Sequence, residues 1–214
     1  MVVNERFITF EGGEGAGKST VLERIYEKLV EQGYSVMKTR EPGGNEIAEK
    51  IRDLILDTRH TDMDPRTEAL LYAAARRQHF VQKVKPALEA GTIVLCDRFI
   101  DSSLVYQGVA RDIGVNDVWQ INQFATEGNL PAVTYYFDVS PEVGLGRIEK
   151  EKNREVNRLD KESRDFHEKV RNAYLHLQKQ EPERIETVDA ERSLEDVVQS
   201  VWEDLENYLA SLCS

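Results

Sequence analysis

The chain has 214 residues, 40% of them hydrophobic and 31% charged, which fits one substantial α/β domain and excludes a disordered chain. The formal net charge of -11 argues against nucleic acid as a partner, because a phosphate backbone is bound by a basic face. No apolar run approaches the length that spans a membrane, so no membrane partner is expected. Cys96 and Cys213 provide no disulfide framework, and the first strand begins too early for a signal peptide, so we expect a cytoplasmic protein.

Strand-like and helix-like patterns alternate from the first residues to the last. Five apolar strands are predicted, at residues 7–10, 34–39, 92–97, 133–137 and 184–188. Helical patterns cover residues 21–30, 47–56, 67–88, a region ending near 125, a charged stretch at 142–178, and 194–209. This alternation predicts an α/β fold with a parallel sheet flanked by helices, in a single domain over residues 1–214. Ligands of such folds bind outside the carboxyl ends of the strands.

Residues 12–19 read GGEGAGKS and match the phosphate-binding pattern G-x-x-x-x-G-K-[ST], with a strand before them and a helix after them. In that context the backbone N–H groups of the loop and the helix N-terminus converge on phosphate oxygens. Lys18 would reach the β- and γ-phosphates, and the Ser19 hydroxyl would bind Mg²⁺. The alternative is a chance glycine-rich turn. The predicted contacts to the triphosphate are Gly12, Gly13, Glu14, Gly15, Ala16, Gly17, Lys18, Ser19 and Thr20.

Asp97 and Arg98 follow the most hydrophobic predicted strand. A carboxylate at this position can hold Mg²⁺ directly or through water and so complete the site that Ser19 begins. Arg98 would place a planar cation between a donor and an acceptor phosphate. The alternative is a salt bridge at the end of a strand. A catalytic role is therefore predicted for Lys18 and Arg98.

Five segments resemble those of thymidylate kinases, in family order and spread over about three-quarters of the chain. They are FEGGEGAGKST at 10–20, TREPGG at 39–44, TEALLYAAARR at 67–77, DRFIDSSLVYQG at 97–108 and NRLD at 157–160. The resemblance implies a P-loop nucleoside monophosphate kinase fold, with a five-stranded sheet and a helical lid over about 142–165. It also implies transfer of the γ-phosphoryl group from ATP to dTMP with Mg²⁺, in dTTP synthesis, by a homodimer.

The same resemblance assigns the acceptor site. Arg52 and Arg98 would grip the dTMP phosphate, Tyr72 would stack on thymine, and Arg76 would bond the edge of the base. Tyr106 would lie near the sugar and disfavour a 2′-hydroxyl. Taken singly, Tyr72 also fits an ordinary core residue, and Arg52 or Arg76 a solvated surface charge. The full predicted set of substrate contacts is Glu11, Arg40, Glu41, Arg52, Tyr72, Ala75, Arg76, Asp97, Arg98, Ser103, Tyr106 and Gln107.

The predicted lid carries Arg147, Lys150, Arg154 and Arg158 along one helical face. Neighbouring acids at 151, 155 and 160 could neutralise them, or the arginines could close over the phosphates. Some thymidylate kinases carry a catalytic arginine at the P-loop position that Gly15 occupies here. The chain instead resembles the class, typical of bacteria, that supplies arginines from the lid. Arg154 and Arg158 are then the first candidates for the catalytic arginines of the lid, and Arg147 is the third. Glu14 would position the acceptor or hold the lid.

Two other functions remain open from the sequence. The first is a kinase for another nucleoside monophosphate, against which the acceptor segments argue. The second is a P-loop ATPase that acts as a switch. A GTPase is disfavoured because the chain has no Asn-Lys-x-Asp segment.

Overall fold

The computed structural model describes residues 1–150, 158–159 and 162–212. Its core is a parallel sheet with strand order β2-β3-β1-β4-β5. The strands are β1 (Val2–Gly12), β2 (Val36–Arg40), β3 (Ile93–Asp97), β4 (Asn129–Asp138) and β5 (Ile185–Asp189). The prediction of a five-stranded parallel sheet flanked by helices is confirmed. Strand β1 is longer than predicted, because its first residues add to the edge of β4.

Helices connect every pair of consecutive strands. They are α1 (Lys18–Glu31), α2 (Glu46–Leu56), α3 (Pro65–His79), α4 (Lys85–Glu89), α5 (Ile100–Ser103), α6 (Val115–Thr126), α7 (Pro141–Lys150), α8 (Arg164–Gln180) and α9 (Leu194–Ser211). Two π-helical segments, Phe80–Val84 and Leu104–Ala110, continue α3 and α5. Among the helices described, none is both long and apolar enough to cross a bilayer.

Local sequence sets several helix starts. The Asn45 side chain accepts a hydrogen bond from the Ala48 N–H at 3.0 Å, and Asp64 caps α3 in the same way ahead of Pro65. Where one helical stretch was predicted at 142–178, the described residues form two helices, α7 and α8. Residues 151–157 and 160–161, which hold part of the predicted lid, lie outside the described residues.

The core lies on both faces of the sheet, since alternate residues of a strand point to opposite sides. From β1, Ile8 and Phe10 pack with α1 and α9, whereas Phe7 packs on the other face against Phe99, with ring centroids 4.8 Å apart. The register then aligns the strand ends: Asp97 lies beside both Phe10 and Arg40. The P-loop, Asp97 and Arg40 therefore emerge at one level along the same edge.

Candidate active site

A cleft opens at the carboxyl ends of β1, β2 and β3, and we call it the central cleft. It is lined by Glu14, Lys18, Ser19, Arg40, Glu41, Pro42, Arg52, Leu56, Tyr72, Arg76, Asp97, Arg98, Ser102, Ser103, Tyr106, Gln107 and Leu159. All of the predicted substrate contacts except Glu11 and Ala75 lie in this lining. Segments that are up to 145 residues apart in sequence, from Glu14 to Leu159, thus meet in one space.

The P-loop forms the donor side of the cleft. The Lys18 ammonium is buried and donates to the carbonyl oxygens of Gly12 at 3.1 Å and Gly13 at 2.9 Å. Burial, followed by the positive charge of Arg98, lowers the pKa of the Lys18 ammonium to about 8. A triphosphate in the loop would favour the charged ammonium, because opposite charge stabilises that form.

Ser19 and Asp97 form the pair predicted for Mg²⁺. The Ser19 hydroxyl donates directly to the Asp97 carboxylate, so both oxygen ligands lie at one point of the cleft. Mg²⁺ prefers such oxygen ligands, and it usually takes one or two from the protein and the rest from water and phosphates. The two residues therefore fit the metal that the P-loop pattern implies.

Arg98 lies between the donor and acceptor sides. Its guanidinium donates to Glu14 at 2.6 Å and lies 5.1 Å from the centre of the Tyr106 ring. Its backbone φ of 69° falls in the left-handed region, a strained conformation that surrounding contacts must hold. Its backbone N–H donates to the Phe10 carbonyl at 2.9 Å, which fixes the loop onto β1.

Glu11 supports this loop from beneath and does not line the cleft. Its fully buried carboxylate accepts hydrogen bonds from the Phe99 N–H at 2.7 Å and from the hydroxyls of Ser102 at 2.5 Å and Tyr174 at 2.8 Å. Burial, followed by the charge of Asp101, raises the pKa of Glu11. The structure thus differs from the prediction that Glu11 contacts substrate: its oxygens are committed to the loop that carries Arg98. Ala75 is also fully buried and outside the lining.

The acceptor wall contains Arg76, which is only 2% exposed. It donates from Nε to Glu41 at 2.7 Å, from Nη1 to Ser103 at 2.9 Å and to Asn122, and from Nη2 to the Phe99 carbonyl at 2.9 Å. A guanidinium has five N–H groups, so these four bonds leave one N–H of Nη2 for the edge of a base. Most of the Arg76 guanidinium therefore binds the wall, and a single N–H remains for the contact with the base, which stays a prediction.

Glu41 is the centre of that wall. Beyond Arg76, its carboxylate is 2.8 Å from Nδ1 of His79, whose Nε2 is 2.7 Å from the Thr39 hydroxyl. Burial alone would raise the pKa of Glu41, but the charge of Arg76 and the contact with His79 hold it below its usual value. Glu41 is thus an ionised structural partner inside the cleft wall.

Two further arginines approach the mouth of the cleft. Arg40 donates to the Pro42 carbonyl at 2.8 Å and to Glu49 at 3.0 Å, and Arg52 donates to the same Pro42 carbonyl at 3.3 Å. Together with Arg98, which lines the same cleft, these cations provide positive charge suited to a dianionic phosphate. Their positions agree with the predicted grip on the acceptor phosphate, which remains a prediction.

The predicted lid arginines occupy different places. Arg147 on α7 contacts the P-loop, with Nη1 3.4 Å from the Gly15 carbonyl. Arg158 lies away from the cleft lining: it pairs with Glu68 on α3 and donates to the Ile55 carbonyl at 3.1 Å. A role for Arg158 at the transferring phosphoryl group would require that ion pair to open. Arg154 lies outside the described residues.

The sequence did not single out every residue of the cleft. Pro42 and Ser102 lie inside the motif segments, but the resemblance assigns substrate contacts to neighbouring residues and not to these two. Leu56 and Leu159 carry no chemical signal, since an apolar residue at the end of a helix or after a charged stretch is commonplace. Only the tertiary packing of α2 and of residues 158–159 brings these two side chains to the cleft.

A strand, P-loop and helix, a serine–aspartate pair beside Lys18, and a second arginine-rich wall across the same cleft define the class of protein. It is a P-loop nucleoside monophosphate kinase, whose two anionic substrates meet between these walls. The sequence model of the thymidylate kinase family matches residues 10–201. The chain belongs to the thymidylate kinase family.

Individual relatives agree with the family match. A thymidylate kinase of Geobacillus thermodenitrificans is 58% identical over 195 residues, which cover 91% of this chain and 87% of that protein. One of Halalkalibacterium halodurans is 60% identical over 192 residues, covering 90% and 91%. The crystal structure of thymidylate kinase from Ehrlichia chaffeensis matches with a TM-score of 0.75 at 31% identity, over 94% of this chain and 97% of that chain.

Proposed function

We propose that this protein transfers the γ-phosphoryl group of ATP to dTMP, yielding ADP and dTDP. The observation that carries the proposal is the single cleft in which the P-loop faces an arginine-lined acceptor wall, with Arg98 between them. Membership of the thymidylate kinase family supports the choice of dTMP. The buried free thiol of Cys96 supports a reducing compartment, and we place the enzyme in the cytoplasm.

Transfer depends on alignment and charge neutralisation, because phosphoryl transfer asks for little covalent chemistry from a protein. Lys18 and the P-loop hold the donor phosphates. Arg52 and Arg98 neutralise the acceptor phosphate and bring it into line with the γ-phosphoryl group. The acceptor oxygen is already anionic, so no strong general base is needed and no covalent enzyme intermediate forms.

Ser19 and Asp97 would hold Mg²⁺, which neutralises the β- and γ-phosphate oxygens when it is bound. Glu14 orients Arg98 through their 2.6 Å contact, and it also accepts from the Tyr106 hydroxyl at 3.3 Å. Tyr106 is thereby fixed against the sugar side of the cleft, where it would crowd a 2′-hydroxyl. Arg154 and Arg158 of the lid, together with Arg147, would add positive charge over the transferring group and exclude water.

One coupled assay of ADP release tests this function. With ATP as donor, dTMP is expected to give a kcat/KM at least tenfold above those of dCMP, AMP and GMP, because the acceptor wall is built for one base. UMP is expected to be poorer than dUMP. A preference for another monophosphate would favour the rival kinase function. ATP hydrolysis that is indifferent to every monophosphate would favour the ATPase switch.

We further propose that the enzyme is a homodimer through α3 and α6. Phe124 on α6 is 87% exposed, and Leu70 on α3 is 56% exposed. Beside these residues lies a groove whose apolar side chains are Ala69, Leu70, Ile113 and Ile121, and whose polar side chains are Arg66, Asp117 and Gln120. Contact between two copies of this face would remove that apolar surface from water. Each Å² of apolar surface buried would stabilise the dimer by about 25 cal/mol.

Sedimentation velocity tests the dimer. The wild type is expected to sediment as a dimer at micromolar concentration, and Phe124→Asp to weaken the dimer at least tenfold, since it places a charge in the interface. Val30→Asp is the control, because Val30 is 49% exposed on α1, away from this face. A monomeric wild type, or equal weakening by both substitutions, would contradict the proposed face.

A further inference from the structure

Glu68, in the first turn of α3, is a charged side chain without a role so far. It is only 1% exposed and does not line the central cleft. Its carboxylate receives three side chains: Nε2 of Gln107 at 2.7 Å, Arg111 at 3.3 Å, and Arg158. Of these three, Gln107 alone belongs to the lining of the cleft.

This contact decides which way the Gln107 amide faces. Both guanidinium groups and Nε2 of Gln107 donate to the oxygens of Glu68, so the carboxylate is the acceptor in each of these contacts. Gln107 must therefore turn its NH₂ group toward Glu68. The oxygen Oε1 is the amide atom that remains to face a ligand. Because Gln107 is 2% exposed and held in this position, the cleft presents a fixed acceptor there.

The wall then presents one acceptor from Gln107 and one donor, the remaining N–H of Arg76. Thymine and uracil carry an N–H at N3 beside a carbonyl at C4, which is the complementary pattern. Cytosine carries a lone pair at N3 and an amino group at C4, so both of its groups would meet a group of the same kind. A buried polar group left without a partner is costly, which makes such a pattern discriminating.

We propose that Glu68 is a specificity-determining positioning residue, which fixes the Gln107 amide so that the cleft binds the N3–H edge of thymine and rejects cytosine. The inference rests on the proposed function as a dTMP kinase. Glu68 acts through Gln107 and touches no substrate. Arg111 and Arg158 serve the same purpose one step further out, because they donate to the Glu68 carboxylate and hold it in place as an acceptor.

Glu68→Gln tests the proposal. A glutamine at this position can both donate and accept, so Gln107 is free to face the cleft in either orientation. The ratio of kcat/KM for dTMP to that for dCMP is expected to fall at least tenfold. Glu162→Gln is the matched control: Glu162 binds Arg111 at 2.6 Å in the same ionic chain without contacting Gln107. Its ratio is expected to stay at the wild-type value.

A double-mutant cycle separates positioning from general damage. In a Gln107→Ala background, Glu68→Gln is expected to leave the ratio of kcat/KM for dTMP to that for dCMP unchanged. The reason is that Glu68 acts through the Gln107 amide, which alanine lacks. A further fall there, or an unchanged ratio in Glu68→Gln alone, would overturn the proposal. A wild type without preference for dTMP over dCMP would instead overturn the proposed function.

A measurement on the wild type keeps the inference testable if Glu68→Gln does not fold. The probe is dTMP methylated at N3, which cannot donate to an acceptor at Gln107. It is expected to compete with dTMP at least tenfold more weakly than dUMP does, because dUMP retains the N3–H. Competition as strong as that of dUMP would show that no acceptor faces N3, and the proposed role of Glu68 would fall.

Discussion

Replacing Lys18 with methionine is expected to lower kcat/KM for phosphoryl transfer about 10²- to 10³-fold, the range seen when one preorganised donor to a developing charge is removed. Methionine keeps an unbranched chain in the buried space, so the loss falls on the ammonium group. In the structure that group rests on the carbonyls of Gly12 and Gly13, within the loop that would surround the phosphates. Nothing else described in the P-loop supplies a side-chain cation.

Steady-state kinetics with ATP and dTMP measure this effect, with thermal unfolding as a check on the fold. Lys28→Met is the control, since Lys28 lies in the last turn of the same helix and its ammonium is 5.2 Å from the centre of the Trp202 ring. That variant loses the same charge from α1 and is expected to retain activity within about twofold, as for a surface change remote from the site. Near-normal transfer by Lys18→Met would remove the P-loop as the donor site.

The sequence predicts the parts of this site that are contiguous along the chain. The P-loop lies between a strand and a helix, and Asp97 and Arg98 end a continuous apolar strand, so local pattern and fold rules locate them together. The parallel register then brings Asp97 beside Phe10 and Arg40. The order of the strands in the sheet is therefore enough to predict this part of the cleft.

Contacts between distant side chains were not predictable in the same way. Glu11 stands within the P-loop segment, and its adjacency suggested a substrate contact. In the structure its side chain turns beneath the strand ends and binds Ser102 and Tyr174. The direction of a side chain at a strand end depends on register and twist, which a motif does not encode.

Glu68 and Arg158 illustrate the same limit. Each lies in a family-like segment, and only tertiary packing brings them together across 90 residues of sequence. The charge pattern of the lid indicates that Arg158 faces phosphate, and the acids that could neutralise it instead are, from the sequence, its neighbours at 151, 155 and 160. In the structure, Glu68 on α3 neutralises the charge of Arg158. The spacing of charges along one helix cannot predict an ion pair with a different helix.

Gly15 shows how the structure adds a physical reason to a sequence observation. Its φ of +70° is a conformation that residues with side chains rarely adopt, and a Cβ built there would overlap the backbone of Gly144 on α7. In the opposite direction, a Cβ on Gly144 would overlap the carbonyl oxygen of Glu14. The tip of the P-loop and the first turn of α7 therefore pack backbone to backbone. In this packing no side chain fits at position 15.

Gly144→Ala is accordingly expected to lower kcat/KM for ATP roughly 10- to 100-fold, because overpacking of about 1–3 kcal/mol must be relieved by moving either the P-loop or α7. Gly146→Ala is the matched control on the same helix: a Cβ there meets no described atom within 4 Å. It is expected to keep wild-type kinetics and to gain stability, since alanine is favoured over glycine in a helix by about 1 kcal/mol.

Kinetics at varied ATP and saturating dTMP distinguish the two variants. Equal effects would mean that flexibility of α7, and not its contact with the P-loop, governs ATP binding. A loss confined to Gly144→Ala would make α7 part of the donor site and explain why Arg147, one turn further along, contacts the Gly15 carbonyl.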